Sequence, residues 1–352
     1  LELLMRGEIV IKCTPHIGYL HRCFEKHTEY LTYKQIIPYT DRLDYLSSMN
    51  NNHVFCMGVE KLYGIDKYIP IEIEYIRVLM VELNRIASHL MFIGTYSMDL
   101  GSITPFLWAF SERENIIKLL ESVSGSRLLY NYISIGSVYK KISSIFFDNC
   151  KYVMIGLIKK LNSLKEMLNN NIVFIKRTAN IGILPLKFAI NYGCSGPVLR
   201  ASGLKWDLRK IDKYSIYSLL NFDIPYGINS IGVVGDCWNR FNVRLEEIYQ
   251  SIDMVYQCMK YLKKLPKIEI INSNKKIYPL YKEYYIRGEN PRGELGFYFV
   301  TQDNSEIPLR CKVRAPSFAN LQIISTLCIN YTISDLIAIL GSIDIVLGEV
   351  DR

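Results

Sequence analysis

The chain has 352 residues, 49% hydrophobic and 22% charged, which is enough apolar material for one large domain or two ordinary ones and excludes disorder as its main state. Its nine cysteines are scattered, odd in number and without a close pair, so a disulfide framework is disfavoured and a reducing compartment fits. A formal net charge of +8 suits nucleic acid, an anionic membrane surface or acidic neighbouring subunits, and does not choose among them.

In chain order, the apolar runs 1–5 and 8–12 flank Arg6-Gly7 and predict a β-hairpin. From about Ile17 the period becomes helical. Ile73, Ile76, Met80, Leu83, Ala87 and Leu90 recur at spacings of three and four along one face of a long helix. Thr104 before Pro105 reads as an N-cap, with Phe106, Phe110, Ile117 and Leu120 as the buried stripe of a helix ending near Gly125. A further helix is predicted over roughly Tyr139 to Leu168. Phe241, Leu245, Ile248, Ile252, Val255, Met259 and Leu262 form a heptad-like seam suited to a bundle. After Pro266 the chain turns polar and rich in Lys, Asn and Tyr; residues 295–300 and 309–313 around 302–305 then predict a second hairpin, and the tail 320–347 one helix.

Strands at both ends of a helical middle give a mainly helical α+β architecture: an N-terminal β-hairpin (1–16), a helical bundle core (17–265) and a C-terminal α+β region (266–352). The weakly charged run 315–334 carries Pro316, Asn320, Gln322 and Asn330, too polar for a spanning helix, so no transmembrane segment is expected. No CxxC, HExxH, GxGxxG or GxxxxGK[ST] occurs, which removes support for zinc ribbon, zincin, Rossmann and P-loop chemistry. The chain opens on Leu1 with neither apolar signal nor basic leader, so targeting signals are removed or not needed, and its beginning is expected upstream.

Specific motifs then follow in one order. They include Pro15-His-Ile-Gly-Tyr-Leu-His-Arg22, Pro38-Tyr-Thr-Asp-Arg-Leu-Asp-Tyr45, Arg85-Ile-Ala-Ser-His89, Asp99-Leu-Gly101, Leu199-Arg-Ala-Ser-Gly203, Arg292-Gly-Glu-Leu-Gly296, Arg310-Cys-Lys-Val-Arg-Ala-Pro316 and Gly348-Glu-Val-Asp-Arg352. The series, from Leu1 to Arg352, resembles the quinone-site subunit of respiratory complex I. The resemblance implies a peripheral-arm subunit without a transmembrane span. It would form the ubiquinone headgroup pocket beside the Fe–S subunit that carries the terminal 4Fe–4S cluster, and would meet other peripheral-arm subunits and the quinone-site membrane subunit. NAD and FMN would bind elsewhere in the complex, this chain would bind no cluster or metal, and electron transfer to quinone would be coupled to proton pumping. The same fold resembles the large subunit of nickel–iron hydrogenases, whose metals need two CxxC pairs of soft thiolates. Where those pairs would fall stand Asp44 with Ser47 and Val346 with Glu349, which leaves room for a headgroup.

By that resemblance Tyr45 and Asp99 carry the chemistry. A phenol can donate a hydrogen bond to a quinone carbonyl and stay neutral in an apolar chamber, whereas without the family one of 26 tyrosines is an ordinary core or surface residue. Asp99 reads locally as a helix-end turn; in the family it orients a histidine that faces the headgroup. That histidine sits in a HPxxHG loop which this sequence lacks, and none of His16, His21, His27, His53 and His89 matches its positions. The loop is missing, supplied by another chain, or dispensed with. Arg42 matches the arginine near the terminal cluster, and Thr95, Arg292, Asp344 and Val346 match positions lining the chamber. Departures are Leu129 in place of a cluster-linked histidine, a much reduced segment over 264–290, and the altered 133–137 stretch. The rivals are a hydrogenase-like large subunit that has lost its metal site and a basic helical RNA-binding protein without an RNP-type motif. A composition heavy in Ile, Lys, Asn and Tyr points to a mitochondrial origin and the matrix side of the inner membrane, ahead of the cytoplasmic side of a bacterial plasma membrane.

Overall fold

The computed structural model describes residues 1–229, 231–264, 279–302 and 305–352. Much of the reduced 264–290 segment and the tip of the second hairpin, Asp303-Asn304, therefore lie outside the described residues. The architecture is mainly helical α+β, with small antiparallel sheets near both ends. At its centre lies the 29-residue helix Ile71–Asp99, packed against helices Ser48–Leu62, Ile103–Ser124, Cys237–Leu262 and Ile333–Ile343. The expected stripe on this helix is buried, but so is every residue from Tyr75 to Leu90. A helix buried all round needs partners for its polar side, and they are ionic. Arg77 pairs with Glu60 and Glu74, Glu82 with Arg85 and Arg209, and His89 with Glu247. Glu247 and Glu289 in turn hold Arg200.

The seam on Cys237–Leu262 is buried from Phe241 to Met259, as its heptad spacing requires. Three boundaries differ from expectation. The helix expected to start at Thr104 is capped at Ser102, with Pro105 at the third helical position, where its missing N–H costs nothing because the first-turn donors have no helical partner. Phe106 and Phe110 stay half-buried and pack on each other, while Ala109, Ile116 and Leu119 share the covered face with Ile117 and Leu120. The helix expected from Tyr139 begins at Ser144, because Ser137–Val138 pairs as a short strand with Ile133–Ser134. The tail holds four short helices rather than one, broken at Gln322, at Asn330 (φ 66°) and at Asp344 (φ 59°).

The N-terminal hairpin pairs Glu2–Arg6 with Ile9–Thr14. Its second strand is stitched to the tail by Val10 N–H to the Tyr331 carbonyl and Asn330 N–H to the Val10 carbonyl, both 2.9 Å. Val10 and Cys13 thereby share an apolar cluster with Ile323, Leu327, Ile339 and Ile343. The second hairpin, Gly293–Thr301 with Pro308–Arg314, gains an outer strand, Glu283–Asn290. Helix Ser48–Leu62 lies directly on this sheet, since a Cβ on Gly58 would come within 2.5 Å of Ile286 and one on Gly288 within 2.6 Å of Val54. That close approach drives the Pro291-Arg292 turn into the molecule, and Arg292 is buried.

Candidate functional site

Two helical stripes build a cavity of about 620 Å³. Phe92, Thr95, Tyr96 and Asp99 lie at i, i+3, i+4 and i+7 on the central helix, and Ile337, Leu340, Gly341 and Asp344 repeat that spacing on the facing one. The two approach closely because Gly341 has no side chain: a Cβ there would lie 3.0 Å from the Tyr96 ring. The third wall is the loop after the first hairpin, with Pro15, His16, Ile17, Tyr19 and Leu20. Asp351 straps it down, accepting Gly18 N–H at 2.9 Å and Leu20 N–H at 2.7 Å on its carboxylate and the His21 Nδ1–H at 2.7 Å on its carbonyl.

Three of the seven residues singled out from sequence line this cavity. Asp99 is the last residue of the central helix rather than part of a following turn. Its carboxylate has no hydrogen-bond or ion-pair partner among the described residues, and partial burial against the apolar wall raises its pKa above the ordinary carboxylate value. Thr95 spends its hydroxyl on the Met91 carbonyl, 2.9 Å away. Asp344, in the left-handed conformation that Asp tolerates, caps the facing helix. Its Oδ1 is held by the Arg292 guanidinium at 3.1 Å, and the Arg244 Nε stands 3.9 Å from Oδ2.

Arg292 sits behind the wall. It joins Asp344 to Asp44 at 2.8 Å and donates to Ser88 Oγ at 3.1 Å. Asp44 also accepts from the Ser47 hydroxyl. The stretches holding Asp44, Ser47, Val346 and Glu349 are thus gathered around a fixed guanidinium, and all four residues are buried. Val346 caps the terminal helix with its N–H on Ser317 Oγ and does not line the cavity. Tyr45 and Arg42 stand outside the lining as well. Tyr45 is 41% exposed and its hydroxyl meets no partner among the described residues. Arg42 is exposed, donates to the Pro38 carbonyl and pairs with no carboxylate among the described residues. Of the histidines, His16 lines the cavity, its Nε2 2.9 Å from a Glu2 carboxylate oxygen. The lining residues that motif reasoning missed, Phe92, Tyr96, Leu340 and Gly341, are marked by the same i, i+3, i+4, i+7 spacing as Asp99 and Asp344. The loop wall carries no such signal.

Among the described residues no group of three or more His, Cys, Asp and Glu is arranged to hold a metal ion, and no helix is long and apolar enough to cross a membrane. The family model for the respiratory-chain NADH dehydrogenase 49 kDa subunit matches residues 99–283 and 278–352. An NADH-quinone oxidoreductase subunit of Cytophaga hutchinsonii is 52% identical over all of this chain and 91% of its own length. The corresponding NADH-quinone oxidoreductase subunit of Amoebophilus asiaticus is 52% identical over all of this chain and 89% of its own, and that of Chlorobaculum tepidum 50% over all and 88%.

Proposed function

Because the chain belongs to the 49 kDa subunit family of respiratory-chain NADH dehydrogenase, and so is a subunit of an NADH:quinone oxidoreductase complex, we propose that its cavity receives the quinone headgroup. The observation that carries this is the cavity wall itself. It is mainly apolar, as a quinone ring requires, and bears Asp99, whose carboxylate has no partner among the described residues, beside the arginine-held Asp344. Reduction adds two electrons and two protons, so the electrons must come from a cluster outside this chain. The Fe–S subunit carrying the terminal 4Fe–4S cluster is that neighbour in this reading, with Arg42 directed to it, and NAD and FMN bind on other subunits. Tyr45 follows Asp44, which Arg292 ties to Asp344, and its hydroxyl, without a partner among the described residues, is available to donate to a quinone carbonyl.

The chamber is completed by partner subunits, including the quinone-site membrane subunit, and the charge change at the headgroup starts proton pumping. The bacterial relatives support the cytoplasmic side of a bacterial plasma membrane over the mitochondrial inner membrane suggested by composition. The test is Asp99→Asn in the assembled complex. Quinone reduction should fall severalfold or more, while electron transfer from NADH to an artificial acceptor upstream of quinone is retained; equal quinone kinetics in variant and parent would remove Asp99 from the chamber.

A further inference from the structure

The cluster behind the wall is only partly satisfied. Arg292 holds Asp44 and Asp344, yet its Nε–H has no acceptor. Glu349, fully buried on the terminal helix, accepts the N–H of Ser317 at 3.1 Å and the Ser317 hydroxyl on Oε2, while its Oε1 has no partner. Asp344 Oδ2 is likewise without a hydrogen bond. Two carboxylates thus share one guanidinium, and the third carboxyl group within its electrostatic reach, Glu349, has no ion pair. A buried carboxylate left unpaired is costly, and the cheaper state keeps a proton on it.

We propose that Glu349 is a positioning residue for the chamber, a buried carboxylic acid whose ionisation draws Arg292 away from Asp344 and so frees that carboxylate toward the headgroup. This rests on the quinone reading above. Protonated, Glu349 leaves Arg292 to Asp44 and Asp344. Ionised, it offers Oε1 to the spare Nε–H, and the hold on Asp344 weakens. Burial, with the Asp44 charge adding to it, pushes the Glu349 carboxyl up to about 8, against the opposing pull of Ser317 and Arg292. The other charged groups around it are Asp344 with Arg244 beyond it, Arg22 on the Gly348 carbonyl, and Asp351 and Arg352 of its own helix end. The helix Pro316–Leu321 packed against it carries no ionisable side chain. Arg22 and Asp351 are spent on backbone or on the loop wall, and Arg352 on the Val313 carbonyl and an ion pair with Glu25 at 3.6 Å.

The experiment is the pH dependence of the quinone KM in the assembled complex. The parent should show a transition near pH 8. Glu349→Gln, which keeps the shape and mimics the protonated acid, should abolish it and hold KM at the low-pH value. Ser317→Ala removes a hydroxyl that favours the ionised form and should move the transition to higher pH. A transition that persists unchanged in Glu349→Gln overturns the proposal. Should that variant not assemble, an unmoved transition in Ser317→Ala overturns it as well. Asp344→Asn separates the two readings: quinone kinetics unaffected at every pH would sink the chamber itself, whereas impaired kinetics beside an unchanged transition in Glu349→Gln would sink only the role of Glu349.

Discussion

Tyr45 and Asp99 have no partner among the described residues, which makes them unusually clean residues to change. Tyr45→Phe deletes a donor that no described residue uses, so folding should be untouched and any effect must come from outside the chain. If that donor meets the quinone carbonyl, its loss removes about 1–3 kcal/mol and slows quinone reduction roughly ten- to hundredfold. Unaltered activity at limiting quinone, with NADH oxidation by an upstream acceptor as the control, would mean the headgroup lies elsewhere. Arg42 is exposed, and among the described residues its guanidinium donates to the Pro38 carbonyl and forms no ion pair with a carboxylate. If Arg42 faces the terminal cluster of the Fe–S subunit as proposed, Arg42→Met should lower that cluster's midpoint potential, because removing a nearby cation favours the oxidised form. Redox titration followed by EPR reads this directly, and an unmoved potential would leave Arg42 an ordinary surface arginine.

At the scale of elements, the site depends on a backbone crossing that no motif announces. Gly196 opens a short helix at φ 66°, and a Cβ there would overlap the Gly293 backbone next to Arg292. Gly196→Ala should therefore destabilise by at least the ~1–3 kcal/mol of a strained backbone position and shift Arg292 off Asp344. A lower thermal midpoint together with a raised quinone KM is the expected pair; a stable variant with parental kinetics would show that the turn carrying Arg292 tolerates displacement. Much of the fold around this crossing is readable from local pattern. The seam on Cys237–Leu262, both hairpins and the glycine stop at Gly125 follow from spacing and turn residues. What is not readable depends on contacts distant in sequence. The second buried face of Ile71–Asp99 is ionic, and polar residues at helical spacing look like a solvated face until Arg200, Arg209 and Glu247 arrive from elsewhere. The strand Glu283–Asn290 is not expected from the sequence; it runs unbroken through Gly288, where the missing side chain lets a helix lie down on the sheet. The tail departs from expectation for a simpler reason. Thr332 and Asp335 form a capping box, a local signal that starts a new helix inside a run that apolar pattern alone joins into one. For the site, the family motifs point to Asp99, Thr95 and Asp344 in the wall; they also include the stretch 15–22 and Asp351, but nothing local in either stretch says that the one straps the other down as the third wall, a contact more than 300 residues apart in sequence.

For the whole molecule, the ionic core makes stability respond to pH in opposite directions. Burial lowers His53 to about 4, so the folded protein resists a proton that the unfolded chain accepts; this stabilisation is full above about 6.5 and is lost as pH falls toward 4. Glu247 and Asp207, held below the usual carboxylate range by Arg200 and Arg209, likewise lose their contribution only at more acid pH. Several carboxyls act the other way, Asp41 and Glu349 furthest. Burial raises Asp41 to about 7, and Glu349 reaches about 8. Each binds a proton when folded that the unfolded chain has released above about 4, so the stability it contributes is complete at low pH and declines until the folded pKa is passed. Between about pH 6.5 and 8 the histidine no longer compensates, and stability should fall by up to about 1.4 kcal/mol per pH unit for each proton still held. Asp41→Asn is the variant that isolates one of them. Asp41 accepts the Asn131 N–H on one oxygen and leaves the other unpartnered, so a neutral amide can keep the first bond, and the residue touches neither the cavity nor Arg292. The expected result is a flatter loss of thermal stability between about pH 5 and 7 in the assembled complex, with the acid limb set by His53 unchanged. An equally steep decline in Asp41→Asn would mean that Asp41 is ionised in the folded protein and that its burial is compensated by a partner subunit.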